Sequence, residues 1–141
     1  MPLRGRFAAV LPRLTARQMF DVASAIESNP HIIPRCRSAR VVHADSAVRE
    51  VDNHFGAGPV ELRFRTRAEA MAPDALTITS ADGPFRSFRL DWRFADGHVQ
   101  ADYSIALRSS LLQGLAVFAM PEVERRIVSQ FRRRVHALYG A

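Results

Sequence analysis

Val60-Glu61-Leu62-Arg63-Phe64-Arg65-Thr66-Arg67-Ala68-Glu69 alternates apolar or small side chains with charged ones from end to end. Successive side chains of a β-strand point to opposite sides. Val60, Leu62, Phe64, Thr66 and Ala68 therefore share one face, and Glu61, Arg63, Arg65, Arg67 and Glu69 the other. A strand of this kind has one side covered and one side wet, as in an antiparallel sheet that packs a single layer on one face.

The same period recurs downstream. Phe88, Leu90, Trp92 and Phe94 alternate with Arg89, Asp91 and Arg93, and Val99, Ala101, Tyr103, Ile105 and Leu107 form a third stripe. Turn residues at Asp45-Ser46, Gly56-Ala57-Gly58-Pro59, Pro73-Asp74, Asp82-Gly83-Pro84 and Asp96-Gly97 divide this region into six strand-like segments, an antiparallel meander. Upstream, Arg6 to Leu11 suits a first strand that Pro12 stops. Thr15 is placed as the N-cap of a helix whose apolar residues Met19, Phe20, Val22, Ala23 and Ile26 run on to Glu27. The stretch Asn29 to Pro34 has a proline near each end of an apolar tip and reads as a turn or short helical piece.

From Ser109 to Tyr139 the period becomes helical, with Gly140 as C-cap. Pro121 interrupts this helix. Glu122 and Glu124 just beyond it suit a new helix N-terminus, so a kink or restart is expected there. The first half, Leu111 to Met120, is apolar almost all round, as in a helix buried on every side or touching something greasy. In the second half Ile127, Val128, Phe131, Val135 and Leu138 form one arc, and Arg125, Arg126, Arg132, Arg133 and His136 the opposite one. The expectation is a single α+β domain over residues 1–141, a curved antiparallel sheet of six to seven strands wrapped around a long C-terminal helix.

The 141 residues are 48% hydrophobic and 24% charged, as in an ordinary globular domain. A formal charge of +6, all of its basic side chains Arg, points to an anionic partner, a phospholipid surface or nucleic acid. The single Cys36 excludes an internal disulfide framework; it lies between Arg35 and Arg37, and is read as a spare thiol. No apolar run has signal-peptide or membrane-span length, so a cytoplasmic location is expected. His31, His43, His54, His98 and His136 show no metal-ligand spacing, and neither a nucleophile elbow nor a phosphate-cradling glycine loop is present. No catalytic residue, metal or cofactor is expected.

Three polar groups on covered faces stand out. Asn53, between Val51 and Phe55, is placed either to bond a ligand's polar head or to be satisfied internally, and the internal reading is preferred. Tyr103 and Trp92 offer a hydroxyl and an indole N–H, with core packing as the plainer account. On the wet face, Arg63, Arg65 and Arg67 form a row suited to phosphate binding or to cross-strand ion pairs.

Several segments together are similar to one family. These are Asn29-Pro30-His31-Ile32-Ile33-Pro34-Arg35-Cys36, Gly83-Pro84-Phe85, Trp92-Arg93-Phe94, Ser110-Leu111-Leu112, and a close at Phe131, Arg134 and Leu138-Tyr139-Gly140. The chain resembles, nearly end to end, the coenzyme-Q-binding START-domain family of the polyketide-cyclase-like, lipid-transfer superfamily. It departs at Asn29 and Ile32, where that family commonly has aromatics.

The resemblance implies a helix-grip, START-like fold holding ubiquinone, another polyprenyl quinone or a similar lipid, without chemistry. On that reading Ile32, Ile33, Asn53, Phe55, Phe64, Phe88, Trp92, Tyr103, Leu112, Leu115 and Phe131 are expected around the ligand, with Phe118 near the mouth. Arg125, Arg126, Arg132 and Arg133 are expected to face anionic head groups at the cytoplasmic face of the inner membrane. Two alternatives remain. One is a RatA-like toxin docking on the ribosome or its RNA and blocking subunit association. The other is a polyketide cyclase or aromatase that orients its substrate with Asn53 or Tyr103.

Overall fold

A computed structural model of the chain describes residues 2–140. The alternation at residues 60–69 lies within β4, Val60–Met71. It is one of seven strands, with β1 Leu3–Val10, β2 Cys36–Asp45, β3 Val48–Ala57, β5 Ala75–Ser80, β6 Phe85–Ala95 and β7 His98–Leu107. They form one sheet in the order β1-β7-β6-β5-β4-β3-β2, every neighbouring pair antiparallel. The first strand begins three residues earlier than its small and apolar residues suggested, because Leu3 to Arg6 pair with β7.

The sheet is interrupted where β5 is too short. β5 pairs with β4 only over Arg67 to Met71, so the Val60 to Thr66 half of β4 has no partner on that side. The Ala81–Pro84 loop fills the gap. Arg65 N–H donates to Asp82 Oδ2 at 2.8 Å, and the Ser80 hydroxyl donates to Arg65 O at 2.6 Å. Gly83 has φ +59°, and a β-carbon there would sit 2.9 Å from both Arg63 O and Phe64 Cβ, so the close approach requires glycine. Arg108 then donates to the carbonyls of Ala81 and Gly83.

Helix α1, Ala16–Ser24, starts with a capping box in which Thr15 and Gln18 satisfy each other's backbone N–H. It ends at Ser24 rather than Glu27, and the chain tightens into a 3₁₀ turn, Ile26–His31, that includes Pro30. Ala16 N–H donates to Asp96 Oδ1 at 2.9 Å, tying α1 to the β6–β7 turn.

Helix α2, Ser110–Tyr139, is continuous, with Ser109 as N-cap and a left-handed Gly140 as C-cap. The expected restart at Pro121 does not occur. Proline deletes one helix bond, to the carbonyl of Val117, but Val117 is 55% exposed and Pro121 is also exposed, so water can take that carbonyl.

The core gathers at one end of α2. Met19, Phe20, Val22 and Ala23 from α1 and Ile127, Phe131 and Val135 from α2 are buried against Phe7, Trp92 and Phe94 of the sheet. Trp92 lies 5.4 Å from Phe7 and 5.6 Å from Phe131 between ring centres. No residue from Ser110 to Arg126 is buried. Phe131→Ala is expected to lower unfolding stability by about 3–5 kcal/mol and Leu111→Ala by under about 0.5 kcal/mol, both measured by denaturant titration.

Candidate ligand-binding cavity

The concave face of the sheet and the 3₁₀ turn enclose a cavity of about 80 Å³. Of the residues expected around a ligand, Ile32, Ile33, Asn53, Phe55, Phe64, Phe88 and Trp92 line it together. Ile78 and Leu90 line it too; Leu90 was legible from its inward alternation, whereas β5 carried no marked period. The volume is well below the several hundred cubic ångströms of common ligand pockets. It is about half of the ~150 Å³ that holds a benzene, so a ring enters only as the wall opens around it.

The remaining expected residues lie elsewhere. Phe131 and Tyr103 are buried but are not part of this wall. Leu112 and Leu115, 40% and 57% exposed, lie outside this wall, a correction to their expected place around the ligand, and Phe118, expected near the mouth, is 90% exposed. The physical reason is the docking of α2: its second half is held by the Trp92 contacts, and its first half overhangs.

That overhang is positioned. Leu107 N–H donates to Gln113 Oε1 at 2.7 Å, and Gln113 Nε2 donates to Ile105 O at 3.1 Å, fixing the start of α2 to the end of β7. The Tyr103 hydroxyl donates to Glu124. The Tyr103 ring lies over Gly5, where a β-carbon would collide with it. Burial, aided by Glu124, raises the phenol above its ordinary pKa, so it stays protonated.

An aromatic row leads from the cavity towards the start of α2. Phe55 stacks on Phe64 at 5.5 Å, Phe64 meets Phe85 edge-on at 4.9 Å, and Phe85 lies 5.1 Å from Phe88. Phe85 pairs across the sheet with Leu107, the residue that Gln113 holds. The row thus ends on β6 beside Leu107, where Gln113 tethers the start of α2.

The polar groups of the wall centre on Asn53, 7% exposed, and Thr66, 6% exposed. Asn53 Nδ2 donates to Thr66 Oγ1 at 3.0 Å, to Phe64 O at 3.2 Å and to Val51 O at 3.3 Å. Its amino group is satisfied internally, as preferred from the sequence.

The outer face of the sheet is largely paired. Arg65 bonds Asp52 at 2.8 Å and Arg67 meets Glu69 at 3.2 Å, while Arg63 has no carboxylate partner among the described residues. On α2, Arg125 and Arg126 both pair with Glu122, and Arg132 donates to Val10 O at 3.4 Å. Arg133 is exposed and makes no ion pair among the described residues. Those residues contain no cluster of three His, Cys, Asp or Glu able to hold a metal, and no helix long and apolar enough to cross a membrane.

The model of the family described as polyketide cyclase / dehydrase and lipid transport matches residues 13–132. The chain belongs to this family. It is 23% identical over 94 residues to the persistence and stress-resistance toxin PasT of Escherichia coli O6:H1, which spans 67% of this chain and 58% of PasT. It is 21% identical over 137 residues, 94% of the chain, to 95% of the ribosome association toxin RatA of Vibrio cholerae. The Zhui aromatase/cyclase of Streptomyces sp. R1128 has the same fold, with a TM-score of 0.77 over 100% of both chains at 11% identity. The fold is the helix-grip, START-like one.

Cys36 sits at the start of β2 beside the cavity-lining turn. It is buried, and its thiol donates to Ser38 O at 3.6 Å. Burial pushes its pKa up from 9.0 to about 11, so the flanking arginines do not make it a thiolate. A thiol that holds its proton more tightly when folded favours the folded state up to about pH 9, and that contribution is lost as pH rises to about 11. Urea midpoints of wild type and Cys36→Ala are therefore expected to track each other at pH 8, with wild type falling further between pH 9 and 11.

Proposed function

We propose that this chain binds the ring of an isoprenoid quinone, or of a similar ring-bearing lipid, in its cavity and carries it without chemical change. The observation that supports the reading is the succession of three apolar features: a small cavity, an aromatic row leading from it, and an exposed apolar helix half. A ring occupies the cavity, and its tail follows Phe64 and Phe85 towards α2. Each buried methylene contributes about 0.8 kcal/mol, so a tail of a few isoprene units supplies most of the affinity. Leu111, Val117 and Phe118, exposed by 72%, 55% and 90%, would touch the lipid surface from which the molecule is taken. Arg132 and Arg133, exposed on the solvent side of the docked half of α2 between the buried Phe131 and Val135, would face its anionic head groups.

A second reading is supported by the likeness to RatA and by the unpaired Arg133: docking of this arginine face on the ribosome. An aromatase or cyclase role has less support. Tyr103 is committed to Glu124 and lies outside the cavity wall.

Extraction of purified protein with organic solvent followed by mass spectrometry is expected to yield a polyprenyl quinone or related lipid. Ile78→Trp, which fills much of the cavity, is expected to lower recovery at least tenfold while the thermal midpoint changes little. Absence of lipid from wild type, with no uptake of ubiquinone from vesicles, contradicts the carrier reading. A shift of the ribosomal subunit profile on overexpression, lost in Arg132→Gln/Arg133→Gln, would then favour the second.

A further inference from the structure

The cavity wall carries an acceptor that the protein leaves unused. Asn53 Nδ2 faces three acceptors, Thr66 Oγ1, Phe64 O and Val51 O. The opposite amide orientation would turn Oδ1 against the two carbonyls, so the amide is fixed as drawn. Asn53 Oδ1 then accepts from no donor among the described residues. It is also not sealed away from solvent, since Gln130 Oε1 is the enclosed side-chain oxygen without a partner among them.

Thr66, the other buried polar side chain of the wall, has a different character: its Oγ1 accepts from Asn53 and its own hydroxyl proton is free. It can donate equally to a carbonyl or to a hydroxyl oxygen. Asn53 Oδ1 cannot; it needs a donor, and the remaining wall around it is mostly hydrocarbon. Water can reach Oδ1 in the free protein, but a bound ring that displaces that water without supplying a donor leaves the acceptor unpaired at a cost, and a second acceptor placed against it costs more.

We propose that the cavity selects a ring bearing a hydroxyl group, so that it holds the reduced, hydroquinone form of a quinone in preference to the oxidised form. A hydroquinone donates its O–H to Asn53 Oδ1 and accepts from Thr66. A quinone carries acceptors only and leaves Asn53 unpaired. This inference rests on the carrier reading, since it concerns the same cavity.

The test compares binding of a decyl-tailed dimethoxy-methyl benzohydroquinone with that of the corresponding benzoquinone. Both are measured anaerobically by calorimetry on the full chain, in wild type and in Asn53→Ala. Wild type is expected to bind the hydroquinone at least tenfold more tightly. Asn53→Ala, its fold checked by near-ultraviolet circular dichroism, is expected to bring the two within about threefold. Equal or tighter binding of the benzoquinone by wild type overturns the proposal and leaves the carrier reading standing. If the preference survives in Asn53→Ala, its assignment to Asn53 is overturned. If wild type binds neither compound, both the carrier reading and this inference fall. The wild-type comparison decides the matter even if the variant does not fold.

Discussion

Trp92 lies between Phe7 of β1 and Phe131 of α2, and the position of everything functional depends on that stack. It fastens the second half of α2 to the sheet, where Ile127 and Val135 complete the seal. A 30-residue helix is about 45 Å long, more than one core can cover. Docking one end commits the other to project beyond it. The exposed apolar half of α2 therefore follows from where the aromatic contact sits.

The overhang would be a liability in a protein with nothing to cover it, because exposed apolar surface of this extent favours association. Here it is held in place by Gln113 on β7 and by the Tyr103–Glu124 bond, which also requires Gly5 to lack a side chain. Beneath it the sheet presents aromatic rings. The cavity at the end of that row is small, and its wall combines hydrocarbon with one amide whose donors are spent and whose acceptor is not. In the proposed carrier, affinity would come from the aromatic row and selectivity from Asn53.

Much of this was legible in the sequence, because the two-residue period of β3, β4, β6 and β7 assigns faces without reference to anything distant. It placed Asn53, Phe55, Phe64, Phe88 and Trp92 on one side, and the cavity is built from them. The helix was harder. An all-apolar segment such as Leu111 to Met120 is compatible with burial or with a greasy contact, and periodicity alone cannot say which half a distant ring such as Trp92 will hold. Leu112 and Leu115 lie outside the cavity wall for that reason. The Pro121 restart failed because a local rule was applied without knowing that Val117 faces solvent. The free acceptor of Asn53 was likewise beyond reach, since its state depends on Thr66, thirteen residues away on the next strand.

Helix α2 is docked on the core by its second half, while its exposed first half is tethered to β7 through Gln113. Amide hydrogen exchange along α2, with and without saturating decyl-tailed benzohydroquinone, reads this division out. Exchange at least tenfold faster in residues 111–120 than in residues 127–135 is expected, with ligand-induced slowing concentrated in the first half. Equal protection of the two halves, with no change on adding the ligand, would contradict it.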